Sequence, residues 1–288
     1  MSATQLRQEA LAGMSDLRAR YPEQFSIGWA RRLPRIVIPL LLVALAGYAF
    51  VTLDVSPERF WRGLGRLGTL IVPMFPPDPG PRLWPLFEAM GETLAIAFLG
   101  TLTAAVLAFP FALLAAKNVI PNIFVHFGVR RVFDVIRSID VLIWALMWIS
   151  VVGLGPFAGV LAVATSDFGS FGKLFSEAIE ATDRKAAEGV AASGGSRLHQ
   201  VRFGLLPQVL PVIASQILYF FESNTRSATI IGIVGAGGIG VYLSEAIRVL
   251  ELQELLFTIL MILVVVSIID FVSTRLRMSI IGRQRIEM

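Results

Sequence analysis

The sequence predicts an all-α, polytopic membrane protein of about six transmembrane helices. Three observations carry that prediction. Apolar residues make up 55% of the 288-residue chain and charged residues 16%, with a mean hydropathy of +0.72, whereas soluble domains carry about 25% charge. The apolar residues come in blocks long enough to cross hydrocarbon. The arginines and lysines gather on alternate loops, as they do in cytoplasmic loops beside anionic lipid. With no cysteine, disulfides and thiolate chemistry are excluded and the redox compartment is unreadable. The net charge of +4 is explained by the membrane and needs no nucleic-acid partner.

Residues 1–35 hold six arginines and read as a cytoplasmic tail without the pattern of a cleaved signal peptide. An amphipathic helix over 11–25 and a solvated tail both suit it. Residues 36–53, uncharged throughout, form the first span, and 56–70 read as an interfacial helix with Phe60 and Trp61 at headgroup level. The prolines of 75–81 forbid regular helix. The clearest span is 93–116, rich in Ala, Gly and Thr, which let helices pack closely in lipid. Residues 129–137 form a basic amphipathic stretch at the cytoplasmic face.

Residues 141–164 could form one long span, but Gly153-Leu154-Gly155-Pro156 divides them into two helices. With the division, 19 of the 25 Lys and Arg lie on the side of the N-terminus. Without it the tally is about even, so the positive-inside rule favours the break and places both termini in the cytoplasm. Residues 207–221 re-enter the membrane and 255–272 make the last span. Between them, 222–248 is too polar and glycine-rich for a plain helix. It reads as the outer part of the fifth helix, a bend and a partly re-entrant segment. The domain plan is a tail at 1–35, a first span with its periplasmic interfacial segment at 36–89, and a transmembrane core at 90–288.

Residues 176–211 are a polar island in this oily chain. Asp183 is placed to cap a short helix over 183–192. Ser193-Gly194-Gly195 ends it through a left-handed turn, Ser196 can cap a second helix over 197–205, and Pro207 suits the first turn of the span that follows. This stretch resembles the cytoplasmic coupling loop of ABC-importer permeases, whose pattern is E-A-A, three residues, G, nine residues, I-x-L-P. Glu188, Gly194 and Leu206-Pro207 stand at the matching positions, while Gly189 and Val190 replace the alanines and Gly204 the isoleucine. Residues 153–161, 221–224, 226–229 and 234–241 are similar to the phosphonate-transporter permeases of that group.

The resemblance implies a type I ABC-importer permease fold in a bacterial inner membrane. Within it, the two-helix coupling loop at 176–207 would carry Glu188, Gly189, Ala192, Gly194, Gly195, Leu206 and Pro207. It implies two permease chains, identical or related, around one pathway, and two separate ATPase subunits that carry ATP and Mg. A periplasmic binding protein would deliver the phosphonate, and this chain would hold no cofactor of its own.

Glu222, Asn224, Arg226, Ser227, Thr229, Gly235, Gly237 and Gly238 are the candidates for a pathway or gate. Charges inside a membrane face a cavity or each other. Arg226 either attracts an anion in passage or pairs with Glu222 one helical turn away. Residues 235–240 also satisfy the G-x-G-x-x-G fingerprint of dinucleotide sites, but the flanking spans leave no room for a βαβ unit. Close helix contact or bending suits these glycines better. His126 and His199 read as solvated or interfacial, Asp167 and Asp270 as lying near cytoplasmic ends of spans. No catalytic set, metal cluster or phosphate-binding loop is legible. An embedded enzyme acting on lipid phosphate would need clustered acids or histidines at span ends, and a passive channel a filter-like repeat.

Overall fold

The apolar blocks fold as helices because a chain in hydrocarbon must satisfy its backbone N–H and C=O groups internally. A computed structural model describes residues 13–14, 19–20, 29–53 and 56–284, and they include no β-strand. Most of the helix expected over 11–25 lies outside the described residues. The described chain divides into two units after Thr69.

In the first unit, α1 (Trp29–Thr52) opens with arginines, is apolar on every side from Ile36 onward and is almost wholly exposed there. The helix α2 (Pro57–Ile71) covers the segment expected at 56–70 and runs two residues past the division. Arg59, Arg62 and Arg66 share one face, and Phe60, Leu64 and Leu67 the opposite one.

The second unit begins with two short 3-10 turns, Val72–Met74 and Gly80–Arg82. Seven α-helices follow: α3 (Leu83–Ala115), α4 (Ile123–Arg137), α5 (Val141–Val152), α6 (Pro156–Glu180), α7 (Arg184–Ala192), α8 (Arg197–His199) and α9 (Leu206–Ile233). A π-helical stretch, Gln200–Leu205, joins α8 to α9. Helices α10 (Ile239–Val249) and α11 (Leu252–Gln284) complete the unit.

Lipid gives little hydrophobic reason for spans to associate, so close contact must come from small residues. Ala104, Ala105, Ala108 and Ala112 of α3 accordingly meet Phe171, Phe175 and Ile179 of α6 and Val209 and Ile213 of α9 in one cluster. A second cluster joins Ile96 and Ala97 of α3 to Ala162 and Val163 of α6 and Ala228 and Ile231 of α9. A third sets Leu86 and Met90 of α3 against Ile239 of α10 and Met261 of α11.

Among the described residues, α1, α9, α11 and α3 are long and apolar enough to cross a membrane. The pair α4 and α5, bent by 85°, would make a fifth span if counted as one. Helix α6 has the length at 25 residues but is less apolar. The expected break is present: α5 ends at Val152, Gly153 adopts φ 90°, and Pro156 opens α6.

Spans are longer than the apolar blocks suggest. Helix α3 starts ten residues before position 93, and α9 runs twelve residues beyond position 221. The polar residues that looked like span ends have partners inside the protein and do not interrupt the helix. For the same reason the placement of Asp167 near a span end is corrected. It lies in the middle of α6 and is buried.

Candidate functional site

The polar island folds as an elbow of two short legs. Asp183 caps α7 by accepting from Lys185 N at 3.0 Å. Gly194, at φ +84°, makes the left-handed turn that ends the first leg, at little cost because it has no Cβ. The N–H groups of Gly194 and Gly195 donate back to Ala191 O at 2.9 Å and Val190 O at 3.0 Å. Ser196 then forms a capping box with His199, whose Nδ1 accepts from Ser196 N at 3.3 Å. His199 is thus a cap.

The return leg lies directly on the first. A Cβ on Gly204 would stand 2.7 Å from Ala187 Cα, so the glycine in place of the family isoleucine lets the legs touch. Gln208 staples the base: its Oε1 accepts from Asp183 N at 3.2 Å, and its Nε2 donates to Gly204 O at 2.7 Å. Leu206 and Pro207 open α9. Glu188, Gly189, Ala192 and Gly194 are exposed, Gly195 is half-buried, and Leu198 and Phe203 stand 82% and 58% exposed.

The root of the elbow is tied to the bundle by Glu180, the last residue of α6. Its carboxylate accepts from Lys117 N at 2.8 Å and pairs with Arg130 of α4 at 2.8 Å. Asn118 donates to Ile179 O at 2.6 Å, and His126, which is buried, sits 2.6 Å from Ala115 O. The root of the elbow is thus bonded to α4 and to the connection that leaves α3. Between the elbow and 117–121 lies a groove of about 360 Å³ bordered by Lys117, Arg184, Glu188 and Arg197.

The polar residues of α9 separate into two groups. Glu222, its side chain 9% exposed, pairs with Arg226 at 3.1 Å and with Arg277 of α11 at 2.9 Å. Arg226 remains 50% exposed at its side chain, and Ser227 is half-buried. Asn224 points inward, donating to Asp167 of α6 and to Thr101 Oγ1 of α3 at 2.8 Å. Thr229 is buried and donates to Thr225 O within its own helix.

Gly235, Gly237 and Gly238 all adopt positive φ at the bend between α9 and α10. They form a seam against α3 and the α5–α6 turn. Gly155 N donates to Gly235 O at 3.0 Å. A Cβ on Gly237 would lie 2.8 Å from Pro156 N. The seam lies at the end of α9 remote from the elbow, since a 28-residue helix is about 42 Å long.

Sequence reading placed Asp167 near a span end and missed Thr101, Gln208, Glu180, Arg130, Glu92 and Arg277. Asp167 had a signal, an ionisable group within a largely apolar stretch. The others show themselves only through partners far along the chain. No group of three or more His, Asp or Glu among the described residues could hold a metal.

The described helices thus form a bundle with an exposed elbow at one end and a buried glycine seam at the other. The chain belongs to the binding-protein-dependent transport system inner membrane components, whose pattern matches residues 108–285, and is a permease component of an ABC importer.

It is 36% identical over 255 residues to the phosphite transport system permease protein PtxC of Stutzerimonas stutzeri, covering 88% of this chain and 91% of that one. HtxC of the same organism is 38% identical over 256 residues, covering 89% and 90%. The phosphate-import permease protein PhnE of Mycolicibacterium smegmatis is 32% identical over 250 residues, covering 87% of this chain and 47% of PhnE. Among solved structures, the inward-facing MetNI methionine ABC transporter shares the fold, with a TM-score of 0.62 at 20% identity over 70% of this chain and 99% of that one.

Proposed function

We propose that this permease carries phosphonates or related phosphorus oxyanions into the cytoplasm, as one of two permease chains around a shared pathway. The similarity to proteins named for phosphite and phosphate import supports the substrate class. The exposed elbow carries the mechanism. Two ATPase subunits, which hold ATP and Mg, each receive an elbow through Glu188, Gly189, Ala192, Gly194 and Gly195, with Leu198 and Phe203 as apolar anchors. ATP closure draws the elbows together. The Gly204–Ala187 contact and the Gln208 staple keep the legs from flexing, so the stroke passes through Leu206-Pro207 into α9 and through Glu180 into α3, α4 and α6. A periplasmic binding protein delivers the oxyanion at the far end, and both termini lie in the cytoplasm.

Arg226 is the charge offered to the anion. Glu222 holds it in place, and Arg277 offsets the Glu222 charge, leaving the cluster with a net positive charge. Asn224 and Thr229 act inside the bundle, Ser227 beside Arg226.

Gly194→Pro and Glu188→Lys leave the protein in the membrane but break the link between ATP hydrolysis and uptake. Normal coupled uptake by the inserted double variant contradicts the coupling role. In a reconstituted complex, binding protein loaded with a phosphonate, phosphite or phosphate stimulates ATP hydrolysis. If sulfate or methionine stimulates and no phosphorus oxyanion does, the substrate class falls.

A further inference from the structure

The seam of Gly235–Gly238 is bound to α3 by Glu92 and Thr93. Glu92 Oε1 accepts the N–H of Gly238 at 2.9 Å, and Thr93 Oγ1 accepts the N–H of Ile239 at 2.8 Å. These are donors at the start of α10, which has no earlier turn to satisfy them. Glu92 is half-buried, and no Lys, Arg or His among the described residues pairs with it, in contrast to Glu222 and Glu254, which face arginines. A carboxylate suits the positive end of a helix, so backbone donors hold this charge.

The other end of α10 is tied to the same segment of chain. Arg82, just before α3, lies 3.3 Å from Glu245 of α10 and 3.5 Å from Glu254 of α11. Between the two ties, α10 lies against α9 at glycine contacts. A Cβ on Gly232 would stand 2.9 Å from Gly240 Cα, and one on Gly240 would collide with Thr229 O. A Cβ on Gly237 would stand 2.5 Å from Glu92 Oε1. The backbones of α9 and α10 thus approach too closely for any side chain larger than glycine's between them.

We propose that Glu92 is a positioning residue of the transport cycle: it staples α10 to α3, so that the end of the bundle remote from the elbow moves as one body. Tilt generated at the elbow, carried up α3 and α9, then displaces α10 directly instead of being lost in the glycine bend. The inference rests on the chain being a permease and is independent of its substrate.

The test is a distance measurement in the assembled complex. The chain has no cysteine, so spin labels go cleanly onto Glu88→Cys of α3 and Ile247→Cys of α10, both exposed. Their separation stays the same in the nucleotide-free and ATP-bound states, while elbow-to-elbow distances change. A shift of the Glu88–Ile247 separation with nucleotide overturns the proposal, whatever oxyanion is carried.

Glu92 variants give a second readout, stimulation of ATP hydrolysis by binding protein loaded with the best stimulator of the unmutated complex. Glu92→Ala lowers that stimulation about fivefold, the size of one lost part-buried hydrogen bond. Glu92→Gln, which keeps an acceptor oxygen, restores most of it. Full stimulation in Glu92→Ala, or failure of Glu92→Gln to the same degree, contradicts the staple.

Discussion

The elbow and the Gly235–Gly238 seam are both glycine-bearing breaks between helices, yet they are built in opposite ways. In the elbow, Gly194 sits in open space and serves through its left-handed φ. Arg184, Lys185, Glu188 and Arg197 are exposed around it. In the seam, Gly237, Gly238 and Gly240 are buried, and each would lose a contact to an added Cβ. One region holds a rigid shape while leaving its side chains free for a partner. The other leaves no side chain free. Glycine alone therefore does not mark a gate; what surrounds it decides.

Substitutions that disturb these two regions should rank by how much buried contact they destroy. The largest loss is expected at the seam. Gly240→Ala forces its Cβ against Thr229 O and Gly232 Cα, an overpacking that costs about 1–3 kcal/mol. Thermal unfolding in detergent should show a clear drop in Tm, and an unchanged Tm would mean that the seam yields easily. A loss of similar size, but without a backbone clash like that of a Gly240 Cβ with Thr229 O, is expected for Asn224→Ala. It strips Asp167 of its donor, and leaving a buried polar group unsatisfied costs about 1–3 kcal/mol. Thr101→Val, which removes one acceptor of Asn224 and leaves Asp167 bonded, should cost less in the same assay.

The smallest effects on stability belong to the arginines around Glu222. Arg277 is 24% exposed at its side chain and Arg226 50%, so Arg277→Ala should lower Tm more than Arg226→Ala. If Arg226→Ala unfolds readily, Arg226 is an internal brace. If it folds but loses anion uptake, its place by the pathway is supported.

The elbow was legible in the sequence down to its caps. The second leg, expected as a helix over 197–205, turns π-helical at Gln200–Leu205, where Gly204 packs on Ala187, but Asp183, Ser196, Gly194 and Pro207 signal through local chemistry. The α5–α6 break was legible for the same reason, through Gly155-Pro156. The extents of α3, α6 and α9 were not, because hydropathy treats Glu92, Asp167 and Glu222 as costs to be kept near an end. Each has a partner at least four residues away, most of them more than fifty, and such pairings leave no mark on a local window. Asp167 illustrates the point: alone it reads as the edge of a span, and beside Asn224 it joins α6 to α9.

The coupling claim is tested most directly at the tip of the elbow. Ala192, exposed and at the end of the first leg, can be replaced by the chain's sole cysteine and probed with a membrane-impermeant maleimide. The account predicts labelling in inside-out vesicles, none in right-side-out vesicles, and protection when the ATPase subunits are bound. Labelling from the outer face, or equal labelling with and without the ATPase, would contradict it.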